Sequence, residues 1–358
     1  MSPSPKSALN VVMGAMTFGE EGTECARIHD LKDVDKIDTA RIYCGGSSEE
    51  YLGKVNWQKR GLKMGTKLYP LKGTIPGVEY ITHNPQDLKT HLMRSLSALN
   101  TEKVDIWYLH GPDRSVPYEV TLKAVNDLHN DGYFDRFGIS NYMSWEVAEI
   151  VGICNANGYI QPTVTSSCGT RMVAGELMID LCRNVEGELF PCLRKFGISF
   201  YGFSPLQVQN FNQRIQLPEI FAWLLTGMFK VAGGFFTTKH NPDAEGVEDG
   251  SRFDPNRAQG KSYRRRYWNE HYFKALQIIQ DAADEAGLTM QEVALRWICH
   301  HSSMRRENGD SVLIGASALG HIEQNLVDLE QGPLPSEVVK ALDDAWLVVA
   351  PHAVAYFH

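Results

Sequence analysis

Four residues have types and spacing suited to proton transfer: Asp38, Tyr43, Lys67 and His110. A free tyrosine ionises near pH 10 and is a poor acid at neutral pH. A neighbouring lysine ammonium favours the phenolate and strengthens that acid. Asp38 could pair with Lys67 and hold it in place. His110 could orient a carbonyl oxygen toward the Tyr43 hydroxyl. Together they write general-acid chemistry on a polarised carbonyl. The twenty amino acids supply no hydride donor, so a reduction here calls for a cofactor. Any one of the four alone reads as structural, and it is their order and placement that argue for a site.

That placement comes from the elements around them. Short β-rich runs at 9–18, 36–43, 62–69, 105–110, 137–141, 161–165, 198–203 and 311–315 read as eight strands. Helical patterns alternate with them, at 47–55, 84–99, 116–131, 144–157, 185–196, 272–286, 289–300, 321–329 and 335–349. Leu88, Leu92 and Leu96 stripe the second, and Ser144 is expected to cap the fourth, which Gly158 closes. Alternating βαβα predicts a parallel sheet, and eight units predict a closed α/β TIM barrel, (β/α)8, within one domain over 1–358. The four residues then sit at or near the C-terminal ends of successive strands, the rim where barrel active sites form.

The rest of the sequence removes other classes. A net charge of −8, from 35 basic and 43 acidic residues, argues against a nucleic-acid binder. Seven cysteines without a C-x-x-C pair give neither a disulfide scaffold nor a zinc ribbon. The longest apolar stretch, 220–229, is far short of the ~20 residues of a membrane-spanning helix, and residues 1–10 carry no apolar signal core. A reduced cytosol is the expected compartment. There is no G-x-G-x-x-G and no P-loop. The segments 202–206 and 315–319 lack the last glycine of a nucleophile elbow. His300 and His301 have no carboxylate at a spacing that completes a metal site, so no metal is expected. The basic, aromatic run at 263–268 reads as a solvated face.

The segments MGAMTFGEEG, IDTARIYCGGSSEEYLG, GTKLYP, VDIWYLHGPD, FGISN, FYGFSPL, AGGFFTTKH and LIGAS…EQN resemble the aldo-keto reductases, most nearly their aflatoxin-aldehyde reductase branch. The resemblance covers nearly the whole chain. It implies Tyr43 as proton donor, with Asp38, Lys67 and His110 completing a tetrad. It implies NADPH as cofactor. Ser140 and Asn141 would hold the carboxamide. Ser204, Pro205, Leu206, Gly233, Gly234 and Lys239 match the loop closing over the pyrophosphate. Gly315, Ala316, Ser317, Gln324 and Asn325 match the segment around the 2′-phosphate, with Lys239 and Arg252 as its cations. Tyr263, Arg266 and His110 would contact the substrate, an aldehyde, for which an arginine fork suits a carboxylate. A homodimer is implied, with no nucleic-acid or membrane partner.

Three departures stand against that pattern. The crossover from the first strand to the second leaves only 31–35 for a helix, so the first barrel helix is expected to be truncated. After the sixth strand, Thr165 and Ser166 replace an aromatic and a glutamine that contacts the nicotinamide amide, and 165–182 is atypical. Residues 207–231 are an atypical insertion after strand seven. Loop variation is one explanation. The preferred one is an aberrant transcript, because the changes are abrupt, their flanks match the family and one removes a helix. Two rival readings follow: a nucleotide-binding regulatory subunit of the channel-β type, and a catalytically impaired barrel.

Overall fold

A computed structural model describes residues 7–16, 18, 36–71, 79–167, 183, 185–203, 269–315, 319–353 and 355–357. The eight expected strands are all present. They are β1 (Asn10–Gly14), β2 (Lys36–Asp38), β3 (Lys63–Leu68), β4 (Val104–Leu109), β5 (Phe134–Ser140), β6 (Pro162–Ser167), β7 (Ser199–Phe203) and β8 (Ser311–Ile314). Each pairs in parallel with the next, and β8 pairs back with β1, so the sheet is a closed barrel. The expected truncation at 31–35 and the insertion at 207–231 lie outside the described residues.

The described helices are α1 (Ser47–Lys54), α2 (Pro85–Ala98), α3 (Tyr118–Asn130), α4 (Ser144–Asn157), α5 (Leu189–Phe196), α6 (Glu270–Glu285), α7 (Met290–His300), α8 (Leu319–Leu329) and α9 (Ser336–Val349). Local chemistry sets their ends. Asn84 accepts from the Asp87 amide ahead of Pro85, and Thr289 accepts from the Glu292 amide. Leu88, Leu92 and Leu96 are buried, as their spacing predicts. Two expectations are corrected. Ser144 opens α4 rather than capping it, because the Glu146 carboxylate takes the Met143 amide at 2.8 Å. The helix expected over 185–196 is broken by a turn at Gly187 and Glu188, and α5 starts only at Leu189.

Apolar residues divide between two places. The large cluster lies between the sheet and the helices and includes Trp107, Phe134, Phe137 and Phe200. A second cluster, Val12, Ile106, Tyr108, Val164, Tyr201 and Leu313, takes alternate positions on the strands and fills the barrel interior. β2, β3 and β5 add no apolar side chain to it. Their inward positions carry Asp38, Gly65, Lys67, Gly138 and Ser140 instead, and this leaves the interior polar on one side.

Both ends of the barrel are tied by buried acids. At the base, Asp310 is wholly buried just before β8. It accepts from both terminal nitrogens of Arg194, at 3.1 and 2.5 Å, and from the Phe200 and Arg305 amides at 2.8 and 2.7 Å. At the rim, Asp113 accepts from the His83 amide at 2.8 Å and from the Ser115 amide and hydroxyl. This joins the segment after β3 to the loop after β4. The His83 ring is fully buried, and neither of its nitrogens has a hydrogen-bond partner. Burial lowers its pKa from 6.5 to about 4, against the pull of Asp113 and Asp87.

Asp310→Ala strips the part-buried Arg194 guanidinium and two amides of their acceptor and should cost about 1–3 kcal/mol in urea unfolding. A loss near zero would show that the base is held by other contacts. The His83 imidazole is neutral in the fold and takes a proton near pH 6.5 once unfolded. Its contribution is complete above that pH and is lost as pH falls toward 4, by about 3 kcal/mol in all. His83→Leu should flatten that acid limb of the stability profile, and an identical slope in the variant would contradict the assignment.

Candidate active site

The site is built around β2 and β3. β2 is shorter than expected, but two further amides continue its contact with β3: Thr39 donates to Gly65 at 2.9 Å and Arg41 to Lys67 at 3.1 Å. Asp38 and Lys67 therefore face each other inside the barrel, 4% and 2% exposed. The Lys67 ammonium donates to Asp38 Oδ2 and, at 2.8 Å, to the Thr39 carbonyl. Burial pushes the lysine down and the carboxyl up, and their mutual attraction opposes both shifts. Each partner supplies the other with an interaction that water would otherwise give it.

Tyr43 stands beyond the strand rather than in it. A tight turn over Tyr43–Gly46 lifts it over the rim, with Cys44, Gly45 and Gly46 at φ of 49°, 63° and 100°. The tyrosine is half-buried, and Lys67 Nζ lies 5.4 Å from its ring centroid. β4 delivers His110, whose amide donates to Leu68 at 2.8 Å. The His110 ring meets two tyrosines edge-on: Tyr43 at 5.7 Å and 81°, and Tyr69 at 5.6 Å and 84°. The four residues expected to act together are thus brought together at the C-terminal rim.

Beside them, β5 ends in Ser140 and Asn141, both buried. Asn141 adopts a left-handed backbone, with φ of 64°, and a non-glycine residue holds that conformation only when its neighbours demand it. Its amide donates to the Ser166 carbonyl at 3.2 Å, and its Nδ2 donates to the His110 carbonyl and the Ser140 hydroxyl at 2.9 and 3.0 Å. Two buried polar atoms of this corner, Asn141 Oδ1 and Ser166 Oγ, have no hydrogen-bond partner. An acceptor beside a hydroxyl matches a primary carboxamide, so the residues present fit a nicotinamide amide here. The sequence carried no glutamine to this corner; the structure puts the Ser166 hydroxyl there in its place.

Other expected positions are more scattered. Gly315 follows the end of β8. Gln324 and Asn325 lie on α8, where Gln324 donates to Asp328 at 2.8 Å and Asn325 accepts from Gln291 at 2.6 Å. Asn325 is fully buried, while burial raises the Asp328 carboxyl to about 6. Ser204, Pro205, Leu206, Gly233, Gly234, Lys239, Arg252, Tyr263, Arg266, Ala316 and Ser317 lie outside the described residues.

Sequence reading missed the supports. Glu49, on the first turn of α1, is wholly buried; it receives Arg41 at 2.8 Å and the Thr66 hydroxyl at 2.6 Å. Ser48 donates to the Ala15 carbonyl and meets Thr39, each at 2.9 Å. These contacts bind the segment after Tyr43 to the first three strands. The SSEE run signalled a helix start but could not separate buried Glu49 from exposed Glu50.

The profile of the Aldo/keto reductase family matches residues 10–221 and 224–347. An aldo-keto reductase of Pseudocercospora fijiensis is 45% identical over 322 residues, 90% of this chain and 96% of its own. Aldo-keto reductase pigE of Monascus ruber is 37% identical over 100% of this chain and 99% of its own. Aflatoxin B1 aldehyde reductase member 2 of Mus musculus is 35% identical over 99% and 91%. Among solved structures, the glycerol dehydrogenase AKR11B4 from Gluconobacter oxydans superposes with a TM-score of 0.61 at 18% identity, over 96% of this chain and 92% of that one, a likeness of fold. With the barrel closed and the four polar residues gathered at its rim, these matches establish that the chain belongs to the aldo/keto reductase family of oxidoreductases, which reduce carbonyl groups with nicotinamide cofactors.

Proposed function

We propose that this chain reduces aldehydes to alcohols with NADPH, and that Tyr43 supplies the proton. The observation that carries this reading is the convergence of half-buried Tyr43 with buried Lys67, Asp38 and His110 in one corner of the rim. When bound, NADPH supplies the hydride that reaches the carbonyl carbon. Ser140, Asn141 and Ser166 would hold its carboxamide; the orphaned Asn141 Oδ1 and Ser166 Oγ support that role. His110 directs the carbonyl oxygen toward the Tyr43 hydroxyl. The Tyr43 proton moves to that oxygen as the alcohol forms, and the phenolate left behind rests against the Lys67 ammonium. Asp38 keeps that ammonium oriented and charged.

The substrate class is taken from the aflatoxin B1 aldehyde reductases among the relatives. Tyr263 and Arg266 make a carboxylate-bearing or otherwise polar aldehyde the natural choice, through the arginine fork. The preference for NADPH over NADH rests on Lys239 and Arg252 as cations for a 2′-phosphate. The ends of the 2′-phosphate segment, Gly315 and the α8 pair Gln324 and Asn325, complete that reading. A cytosolic location and a homodimer belong to the same proposal. Among the described residues no helix is long and apolar enough to cross a membrane.

A fluorescence titration with NADPH tests the first half of this reading. Saturable binding in the micromolar range is expected; no binding would leave the impaired-barrel alternative standing. Tyr43→Phe tests the second half. It should bind NADPH as the parent does and lose turnover by about 10²–10⁴-fold. Unchanged turnover in that variant defeats the mechanism.

A further inference from the structure

The barrel interior beneath the site holds a residue the reaction above does not use. Tyr108 on β4 is wholly buried, one inward position below His110. Lys67 Nζ lies 5.4 Å from its ring centroid, the same distance as from the Tyr43 ring. The ammonium is therefore flanked by two aromatic faces, while Asp38 and the Thr39 carbonyl accept its hydrogen bonds. A cation within about 6 Å of a ring face is attracted by the ring quadrupole, most strongly when both are out of water.

Two neighbouring strands make room for the ring. A side-chain carbon on Gly138 of β5 would meet Tyr108 Cδ1 at 2.3 Å. One on Gly65 of β3 would stand 2.9 Å from Ile106 Cγ2 and 3.5 Å from Tyr108 Cε2. The ring thus occupies space that two strands vacate, directly under the lysine. Burial holds the Tyr108 phenol well above its ordinary pKa, so the ring stays neutral and keeps its negative face. Its hydroxyl has no hydrogen-bond partner. A leucine would fill a barrel layer without burying an orphaned hydroxyl, so the aromatic face is the feature that sets tyrosine apart here.

We infer that Tyr108 is a positioning residue for proton transfer: its ring face holds the Lys67 ammonium charged and in place beside Tyr43. The inference rests on the reading of Tyr43 as proton donor. The other charged or titratable groups around this pair are Asp38 on β2, Glu49 on α1, Arg136 on β5, Tyr201 on β7 and His110 after β4. None of them changes in the test.

The test compares Tyr108→Phe with pentafluorophenylalanine at the same position; the two rings have nearly the same shape, and fluorination reverses the quadrupole. The reading is kcat against pH for NADPH-dependent reduction of 4-nitrobenzaldehyde. Reduction needs protonated Tyr43, so activity falls on the alkaline side. Weaker hold on the ammonium moves that limb to higher pH and leaves the product phenolate less stabilised. Tyr108→Phe should keep the parent limb. The fluorinated ring should move it up by about one pH unit and lower kcat about ten-fold at neutral pH, with NADPH affinity unchanged. Superimposable profiles for the two variants overturn the inference. So does a shift already complete in Tyr108→Phe, which would assign the effect to the hydroxyl.

A second measurement reads the contact without turnover. The fluorinated chain should have a lower urea midpoint than Tyr108→Phe when Lys67 is present, and the same midpoint in a Lys67→Met background. An equal difference in both backgrounds overturns the contact itself. A parent chain that shows this coupling but reduces no aldehyde overturns the functional reading instead.

Discussion

An ammonium enclosed in a barrel must find in the protein what water would have given it, and much of the rim is arranged to meet that demand for Lys67. The carboxylate comes from β2, a backbone carbonyl from the residue after it, and aromatic faces from above and below. Removing any one partner leaves the charge dearer to bury, which ties four segments of chain to a single geometry. Interior layers of such barrels are usually filled by branched aliphatic side chains. Here β2, β3 and β5 forgo them, and the space goes to an ion pair and one tyrosine ring. The polar side of the barrel is therefore a consequence of the lysine, and Tyr43, the proposed proton donor, stands where that polarity ends.

The same principle, a buried acid satisfied by several donors, recurs wherever a rim loop must be held still. Glu49 fixes the segment that follows Tyr43 by accepting from Arg41 and Thr66. Glu146 accepts from Arg114 at 2.8 and 3.1 Å, from the Tyr118 hydroxyl at 2.6 Å and from the Met143 amide. That joins the loops after β4 and β5, the two that present His110 and Asn141. Both acids are fully buried, and neither would be expected inside a protein on composition alone. They act through the backbone they clamp rather than through contact with reactants. A displacement of about 1 Å in His110 or Asn141 would matter to the chemistry, so rigid loops are worth this much buried charge.

The strands were legible because each is a short β-rich run, and eight such runs alternating with helices leave few topologies. The proximity of Asp38, Tyr43, Lys67 and His110 was legible because they fall at or near strand ends in a recognisable order. What stayed hidden was contact across the barrel. Gly65 and Gly138 lie 73 positions apart on different strands, and only the closed sheet sets both against the Tyr108 ring. Ser166 read as a loss, a serine in place of a glutamine. Its partnerless hydroxyl beside Asn141 Oδ1 turns it into a candidate substitute. Ser144 was mistaken for a cap because hydroxyls usually fill that position, while the capping group came from Glu146, two residues on. Gly187 broke a helix that the apolar spacing alone would have continued.

The proton-transfer half of the site is drawn from a compact stretch of chain. Asp38, Tyr43, Lys67 and His110, with Thr39, Arg41, Ser48, Glu49, Thr66, Tyr108, Gly138, Ser140 and Asn141, all lie between residues 38 and 141. None of these comes from 207–231, from the crossover before residue 36 or from 165–182, the stretches read from sequence as atypical; Ser166, the third residue of the proposed carboxamide corner, does lie in 165–182. The residues proposed for the pyrophosphate and for the cations of the 2′-phosphate lie at 204–206, 233–239 and 252 instead, next to or beyond residues 207–231. On the proposed assignment, two functions of one site are carried by separate parts of the sequence. A change in the later segments bears first on how tightly a cofactor is held. The acid–base corner depends on β2 to β5 closing on Lys67, and those four strands pair in unbroken order.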